Sequence, residues 1–216
     1  MIFKGAIFDF NGTILWDTAF HDKAFDIFLD RHNVQLTKKE KRIKIHGKPN
    51  PDIMRGIFGK QLTDSEVNDF AQEKEQIYRD LIINDLQFAP GAVDLFNFLK
   101  KSGIPFSIAT SADIENVRFY FEHMHLDRWF NLENVTYNDG NFRGKPFPDI
   151  FMIAASKLGL APHETIVFED SVAGIIAAEK AGAGKIYIVN SYNDNYSQFP
   201  HEVITHFDAV DRKLFV

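Results

Sequence analysis

The chain has 216 residues, 45% of them hydrophobic and 25% charged, which argues against a disordered or membrane-embedded protein and suffices for one large domain or a core with a modest insertion. Its formal charge of -6 gives no general attraction to nucleic acid or anionic lipid, so an anionic ligand must be met by locally placed cations. With no cysteine, thiol nucleophiles, disulfides and cysteine-ligated metals are excluded, and carboxylates and hydroxyls remain as candidate reactive groups.

In chain order, Ala6-Ile7-Phe8-Asp9-Phe10 is a short apolar run interrupted by one carboxylate, and Asn11-Gly12 supplies a turn. It reads as a buried strand ending in a loop. Residues 16–86 differ in kind: Phe20, Ala24 and Phe28, then Phe70, Ile77 and Leu81, recur with helical spacing, and no convincing strand intervenes. The basic run Lys38, Lys39, Lys41, Arg42 and Lys44 within this stretch is compatible with attraction of an anionic substrate, but such runs are more often a solvated helix face.

From Phe88 onward strands and helices alternate. Ala92–Lys101 follows Pro90-Gly91 with apolar positions at Val93, Leu95, Phe96 and Leu99 and is closed by Gly103; Asp149–Leu158 is opened by Pro148 and stopped by Gly159. Short runs rich in Val, Ile or aromatics, at Phe106–Thr110, Val135–Tyr137, Ile166–Phe168 and Lys185–Val189, read as strands, with a further edge strand expected around Phe207–Val210. This alternation predicts an α/β fold: a doubly wound, Rossmann-like parallel sheet (1–15 and 87–216) carrying an inserted α-helical cap domain (16–86). The insertion is expected over the carboxyl end of the first strand, where open α/β sheets bind ligands. The 22 phenylalanines read as core filling. With no apolar run of about 18 residues and no basic start followed by a long apolar stretch, the cytoplasm is the default compartment and no membrane partner is expected.

Polar residues close several of these apolar strands: Asp9, Thr110 and the pair Glu169-Asp170, with a loop carrying Lys145. Parallel strands running side by side would bring these ends together, giving one site with acids, a hydroxyl and a cation. Clustered carboxylates repel one another unless a cation neutralises them, and oxygen-only ligation favours magnesium. Such an ion and Lys145 would offset the charge of a phosphoryl group and let Asp9 act as a nucleophile.

Asp9-Phe10-Asn11-Gly12-Thr13 resembles the D-x-D-G-T signature of the haloacid dehalogenase superfamily, and three further signatures follow in order. Thr110 with Ser111 is similar to the second motif, whose hydroxyl holds the transferring phosphoryl; Lys145 in Gly144-Lys145-Pro146 is similar to the third. Val167-Phe168-Glu169-Asp170-Ser171 resembles the fourth, whose acids bind Mg2+ directly or through water, in a context close to the β-phosphoglucomutase-like branch. The resemblance implies a catalytic set of Asp9, Asn11, Thr110 and Lys145 and a metal set of Asp9, Asn11 (through its backbone carbonyl), Glu169 and Asp170. It also implies substrate contacts from Ser111, from His21 and from the cap loop His46-Gly47-Lys48.

One departure matters most. The second Asp of the first motif, a general acid and base in phosphatases and mutases of this superfamily, is Asn11 here, and an amide cannot shuttle a proton. His21 and His46 are candidates for a substitute acid or base. Trp16 also stands where relatives often carry Asp, with Asp17 displaced by one. The expectation is a Mg2+-dependent hydrolase of a small phosphorylated metabolite, a sugar phosphate or phosphorylated acid, that works through an aspartyl-phosphate at Asp9 with weakened acid–base help. Alternatives are β-phosphoglucomutase-like transfer, carbon–halogen or carbon–phosphorus cleavage, and a non-catalytic phospholigand-binding regulator. Nucleic acid is not an expected partner, and the short, charged cap helices are consistent with a monomer.

Overall fold

A computed structural model describes residues 2–45 and 50–216, the side chains of Lys38, Arg42 and Ile43 excepted. The chain divides into two compact units, Met1–Trp16 with Leu86–Val216, and Asp17–Asp85. The first unit holds strands β1 (Gly5–Phe8), β2 (Phe106–Ile108), β3 (Thr165–Glu169), β4 (Lys185–Val189) and β5 (Glu202–Ile204). They form one sheet in the order β2-β1-β3-β4-β5, every pair parallel. Helices α5 (Ala92–Lys101), α6 (Ile114–Met124), α7 (Asp149–Lys157) and α8 (Val172–Ala181) connect them. The unit is a doubly wound α/β sheet, and its chain order reverses between β1 and β3.

Strand periodicity explains how the sheet is covered. Side chains alternate between faces, so Ile7, Val167 and Ile186 form one row and Phe8, Phe168 and Tyr187 the other, each in register across β1, β3 and β4. The aliphatic row packs on Ile150, Phe151, Ala154 and Ala155 of α7 and Ala177 and Ala178 of α8, whose small residues let the helices approach closely. The aromatic row is a ladder: Phe8 stacks on Phe168 with ring centroids 4.6 Å apart, and Phe168 on Tyr187 at 5.3 Å. Phe96, Phe106, Phe130 and Phe207 surround Phe8 on the same side. Aromatic pairs contribute about 0.5–1.5 kcal/mol each beyond area burial, which accounts for much of the phenylalanine content.

Two expected strands differ. Val135–Tyr137 contributes only an isolated bridge between Thr136 and Ala109, because a 3-10 turn over Leu132–Asn134 leads straight into it and the chain then departs. Where an edge strand is expected over Phe207–Val210, Phe207–Ala209 is a 3-10 turn and Glu202–Ile204 takes the edge; Phe207 is fully buried against Phe8 and Phe168, which pulls this segment off the sheet edge.

The second unit is helical: α1 (Thr18–Arg31), α2 (Lys38–Lys44), α3 (Asn50–Phe58) and α4 (Asp64–Ile82). Thr37 and Thr63 open α2 and α4 with complete capping boxes to Glu40 and Glu66, each satisfying two helix-end N–H groups. Phe28, Phe58 and Phe70 form its aromatic core. Among the described residues no helix is long and apolar enough to cross a membrane.

Candidate active site

The register of β1 on β3 builds the site. Phe8 pairs with Phe168, and the N–H of Asp9 donates to the carbonyl of Phe168 at 2.9 Å. Asp9 and Glu169-Asp170 therefore leave adjacent strands side by side, although 170 − 9 = 161 residues separate Asp9 from Asp170. The point lies between β1 and β3, where the winding direction of the sheet reverses, the position at which open α/β sheets bind ligands beyond the carboxyl ends of their strands. Carboxylate oxygens of Asp9, Glu169 and Asp170 lie within 4.8 Å of one another. Lys145, from the loop before α7, donates to Asp9 Oδ1 at 2.5 Å and to Glu169 Oε1, with Phe151 beneath its ammonium at 5.2 Å.

Two glycines permit this density. Gly12 has φ +78°, and a Cβ there would stand 2.1 Å from Asp170 Oδ2. A Cβ on Gly174 would stand 1.7 Å from Glu169 Oε1, so the opening turn of α8 accepts the buried carboxylate only because position 174 has no side chain. Ser171 caps α8 through Gly174 N–H, and its own N–H and hydroxyl donate to Glu169 Oε2. Both oxygens of Glu169 thus have protein partners, and Asp170 Oδ1 accepts from Thr13 Oγ1 at 3.2 Å.

Three carboxylates against one ammonium leave 3 − 1 = 2 negative charges in a buried site when all are ionised. Burial pushes the Asp9 carboxyl up to about 7, against the lowering pull of Lys145 and with a further push from Glu169. Burial, then Glu169 and Asp9, hold Asp170 well above the usual carboxylate range. Burial alone would lower Lys145, but Asp9 and Glu169 raise it above its ordinary value, so it is a cation at neutral pH. The donor set fits a hard divalent ion. Oxygen ligands at about 2.0–2.6 Å from one ion stand no more than about 4–5 Å apart, matching the observed spread, and a 2+ charge would neutralise the excess.

Thr110 lies buried at the end of β2, and its Oγ1 accepts from Ala112 N–H at 3.1 Å; Ser111 beside it is exposed. Asn11, half-buried, donates through Nδ2 to the Tyr120 hydroxyl at 2.8 Å. His21 lies in the helical unit, on α1. Its ring stacks on Tyr78 at 3.8 Å, its Nδ1 is 2.8 Å from the Lys74 ammonium, and its Nε2 is 3.4 Å from Asp17 Oδ2. His46, Gly47 and Lys48 lie outside the described residues.

Two partners of the site, and one of His21 within the helical unit, are not visible as motifs. Tyr120 is one of the buried positions Val117, Tyr120 and Met124 of α6, with nothing in its sequence spacing to set it apart from core. Tyr196, in the weakly patterned tail, donates to the backbone carbonyl of Asp170 at 2.5 Å. Lys74, in α4, is buried with Glu75 at 2.9 Å and over the Phe25 ring at 4.6 Å. A Lys-Glu pair inside an otherwise amphipathic helix was the available signal for the last.

A family model for haloacid dehalogenase-like hydrolases matches residues 3–182. Hexitol phosphatase A of Escherichia coli is 31% identical over 189 residues, covering 86% of this chain and 82% of that protein. The phosphorylated carbohydrates phosphatase of Thermotoga maritima is 26% identical over 196 residues, covering 88% of each. Among solved structures, a family IA, variant 3 hydrolase from Entamoeba histolytica superposes with a TM-score of 0.90 at 33% identity, over 98% of this chain and 97% of that one. With its sheet order, its inserted helical cap and this match over most of its length, the chain belongs to the haloacid dehalogenase-like hydrolases.

Proposed function

We propose that the protein hydrolyses phosphate monoesters of small polyhydroxylated metabolites, sugar or sugar-alcohol phosphates, with Asp9 as the nucleophile. The observation that carries this reading is the juxtaposition of Asp9, Lys145, Glu169 and Asp170 at the carboxyl ends of β1 and β3. The printed activities of the hexitol and carbohydrate phosphatases support the substrate class.

In this reading an Asp9 carboxylate oxygen attacks phosphorus, the ester P–O bond breaks, and the alcohol leaves as an alkoxide that takes a proton from solvent water. Water then attacks phosphorus, releasing inorganic phosphate and the Asp9 carboxylate. Lys145 holds Asp9 in place and offsets phosphoryl charge, while Thr110, with Ser111 beside it, offers hydroxyl donors to the phosphoryl oxygens. Glu169 keeps the Lys145 ammonium in position from below. Asp9, the Asn11 backbone carbonyl and Asp170, with Glu169 behind them, would hold Mg2+. When bound, that ion supplies charge neutralisation between the attacking carboxylate and the phosphoryl group.

Asn11 cannot deliver the leaving-group proton, a contribution usually worth about 10²–10⁴-fold. Turnover of alkyl esters should therefore be slow relative to aryl esters, whose leaving groups need no proton. Asn11 also weighs against a mutase, which needs proton transfer in both directions. The test is a Mg2+-dependent screen of phosphorylated metabolites on the wild type and Asp9→Asn. Release of phosphate that needs both Mg2+ and Asp9 supports the reading, and release unaffected by Asp9→Asn refutes it.

A further inference from the structure

Lys145 brings its ammonium to the acidic cluster from a stretch with no strand or helix of its own between Thr136 and Asp149. Left loose, such a loop would not define where a long side chain ends, so its restraints carry information. The Arg143 guanidinium makes a two-pronged contact with Asp149: Nε donates to Oδ1 at 3.2 Å and Nη2 to Oδ2 at 3.0 Å. Asp149 opens α7, and the next two residues, Ile150 and Phe151, are buried in the core, so the contact ties the loop to a fixed helix. Inside this closure the Phe147 N–H donates to the Gly144 carbonyl at 3.0 Å, which makes a turn around Lys145 and Pro146. Arg143 also lies over the Phe147 ring, 4.5 Å from its centroid, and Lys180 of α8 donates to the Pro146 carbonyl at 3.2 Å.

Arg143 and Phe147 are exposed, and exposed ion pairs add little to stability. Their place in the chain gives them another use, because residues 143 and 149 bracket Lys145, whose side chain is less than a tenth exposed. In the proposed reaction the Asp9 carboxylate turns to phosphorus, so its hold on the ammonium changes in the step that needs the charge. The loop backbone must then keep Lys145 in place, and small misplacements of a reacting group are costly. A paired guanidinium fixes both distance and plane, which a single hydrogen bond does not.

We propose that Arg143 and Asp149 are positioning residues: their paired contact closes the loop over residues 143–149 and sets where Lys145 enters the acidic cluster. This rests on the role given to Lys145 in the phosphate-ester reading above. The pair touches neither the phosphoryl group nor the nucleophile and acts only through Lys145.

The test combines Arg143→Met and Asp149→Ala, singly and together, with each also placed in a Lys145→Met background. Activity is read as kcat and KM on an aryl phosphate at saturating Mg2+. Each single variant is expected to lower kcat about five- to tenfold with KM little changed, and the double variant no further, because the two residues act as one unit. In the Lys145→Met background the same changes should alter kcat less than about twofold. Losses that multiply in the double variant, or that persist undiminished without Lys145, would overturn the proposal, as would unchanged kcat in both single variants. A second readout is independent of turnover: the ammonium resonance of Lys145 in 15N-labelled protein, identified by its loss in Lys145→Met. It is expected to shift and exchange faster in Arg143→Met and in Asp149→Ala, and an unmoved resonance overturns the proposal. Should Asp9→Asn retain full hydrolysis, the phosphate-ester reading fails by itself, and the ammonium resonance still decides whether the pair sets Lys145.

Discussion

Lys145 Nζ lies 2.5 Å from Asp9 Oδ1, and both side chains are less than a tenth exposed. The ammonium also reaches Glu169, so a single cation joins the ends of β1 and β3. In the proposed reaction this contact holds a buried carboxylate ready as the nucleophile, and losing it should affect both charge and chemistry.

Lys145→Met keeps the length of the side chain and removes the charge. Loss of one preorganised cation or donor at a reacting centre typically costs about 10²–10³-fold in kcat. A fall of that order, measured on an aryl phosphate at saturating Mg2+, is expected, whereas a change of less than about threefold would remove Lys145 from the chemistry.

Gly12→Ala places a Cβ 2.1 Å from Asp170 Oδ2 on a backbone with φ +78°. Strain at such a position costs about 1–3 kcal/mol, and Asp170 must move to relieve it. Weaker Mg2+ binding by calorimetry, together with a lowered Tm, is expected. Unchanged Mg2+ affinity would mean that Asp170 does not need its observed position to bind the ion.

Glu75 gives the helical unit a pH dependence of definite sign. Burial alone would raise its carboxyl, but Lys74, His21 and the hydrogen bond from Asn50 outweigh that and lower it to about 2, below the ordinary 4.5. A carboxylate held below its unfolded value contributes stability that is present above that value. The contribution is lost as pH falls through the folded one, here from about 4.5 to about 2. Breaking a buried pair costs about 3–5 kcal/mol, so Glu75→Gln should be destabilised by that order at pH 7. The gap to wild type should narrow between pH 4.5 and 3, and denaturant unfolding at the two ends of that range checks it. A constant gap would contradict the assignment.

Phe168→Ala removes the middle rung between Phe8 and Tyr187. Phe→Ala in a core costs about 3–5 kcal/mol, and because Phe168 directly precedes Glu169, activity should fall more than the folded fraction does. Activity that simply tracks the folded fraction would mean the ladder supports the fold without setting the register of the acids.

The site acids and the parallel core are legible in the chain because they follow from strand periodicity. Phe8 and Phe168 alternate with Ile7 and Val167, and each apolar run ends in an acid that an apolar strand would not otherwise favour. Asp9, Lys145, Glu169 and Asp170 accordingly come together in space. Thr136 and Phe207 show where pattern reading ends. Both have strand-like neighbours, but pairing depends on where the preceding turn sends the chain and on whether a large side chain is better buried against Phe8 than set along an edge. Tyr120 was hidden for a related reason: a tyrosine on the inner face of a helix satisfies the core pattern, and only its hydroxyl, meeting Asn11 from 109 residues away, marks it as more.

The central claim is that Asp9 takes the phosphoryl group within a metal-bearing acidic cluster. The most direct measurement is mass spectrometry of the acid-quenched protein after incubation with an aryl phosphate and Mg2+. One added phosphoryl group on the peptide containing Asp9, absent without Mg2+ and absent in Asp9→Asn, is the predicted result. Substrate turnover with a phosphoryl group on any other residue, or persisting in Asp9→Asn, would contradict it.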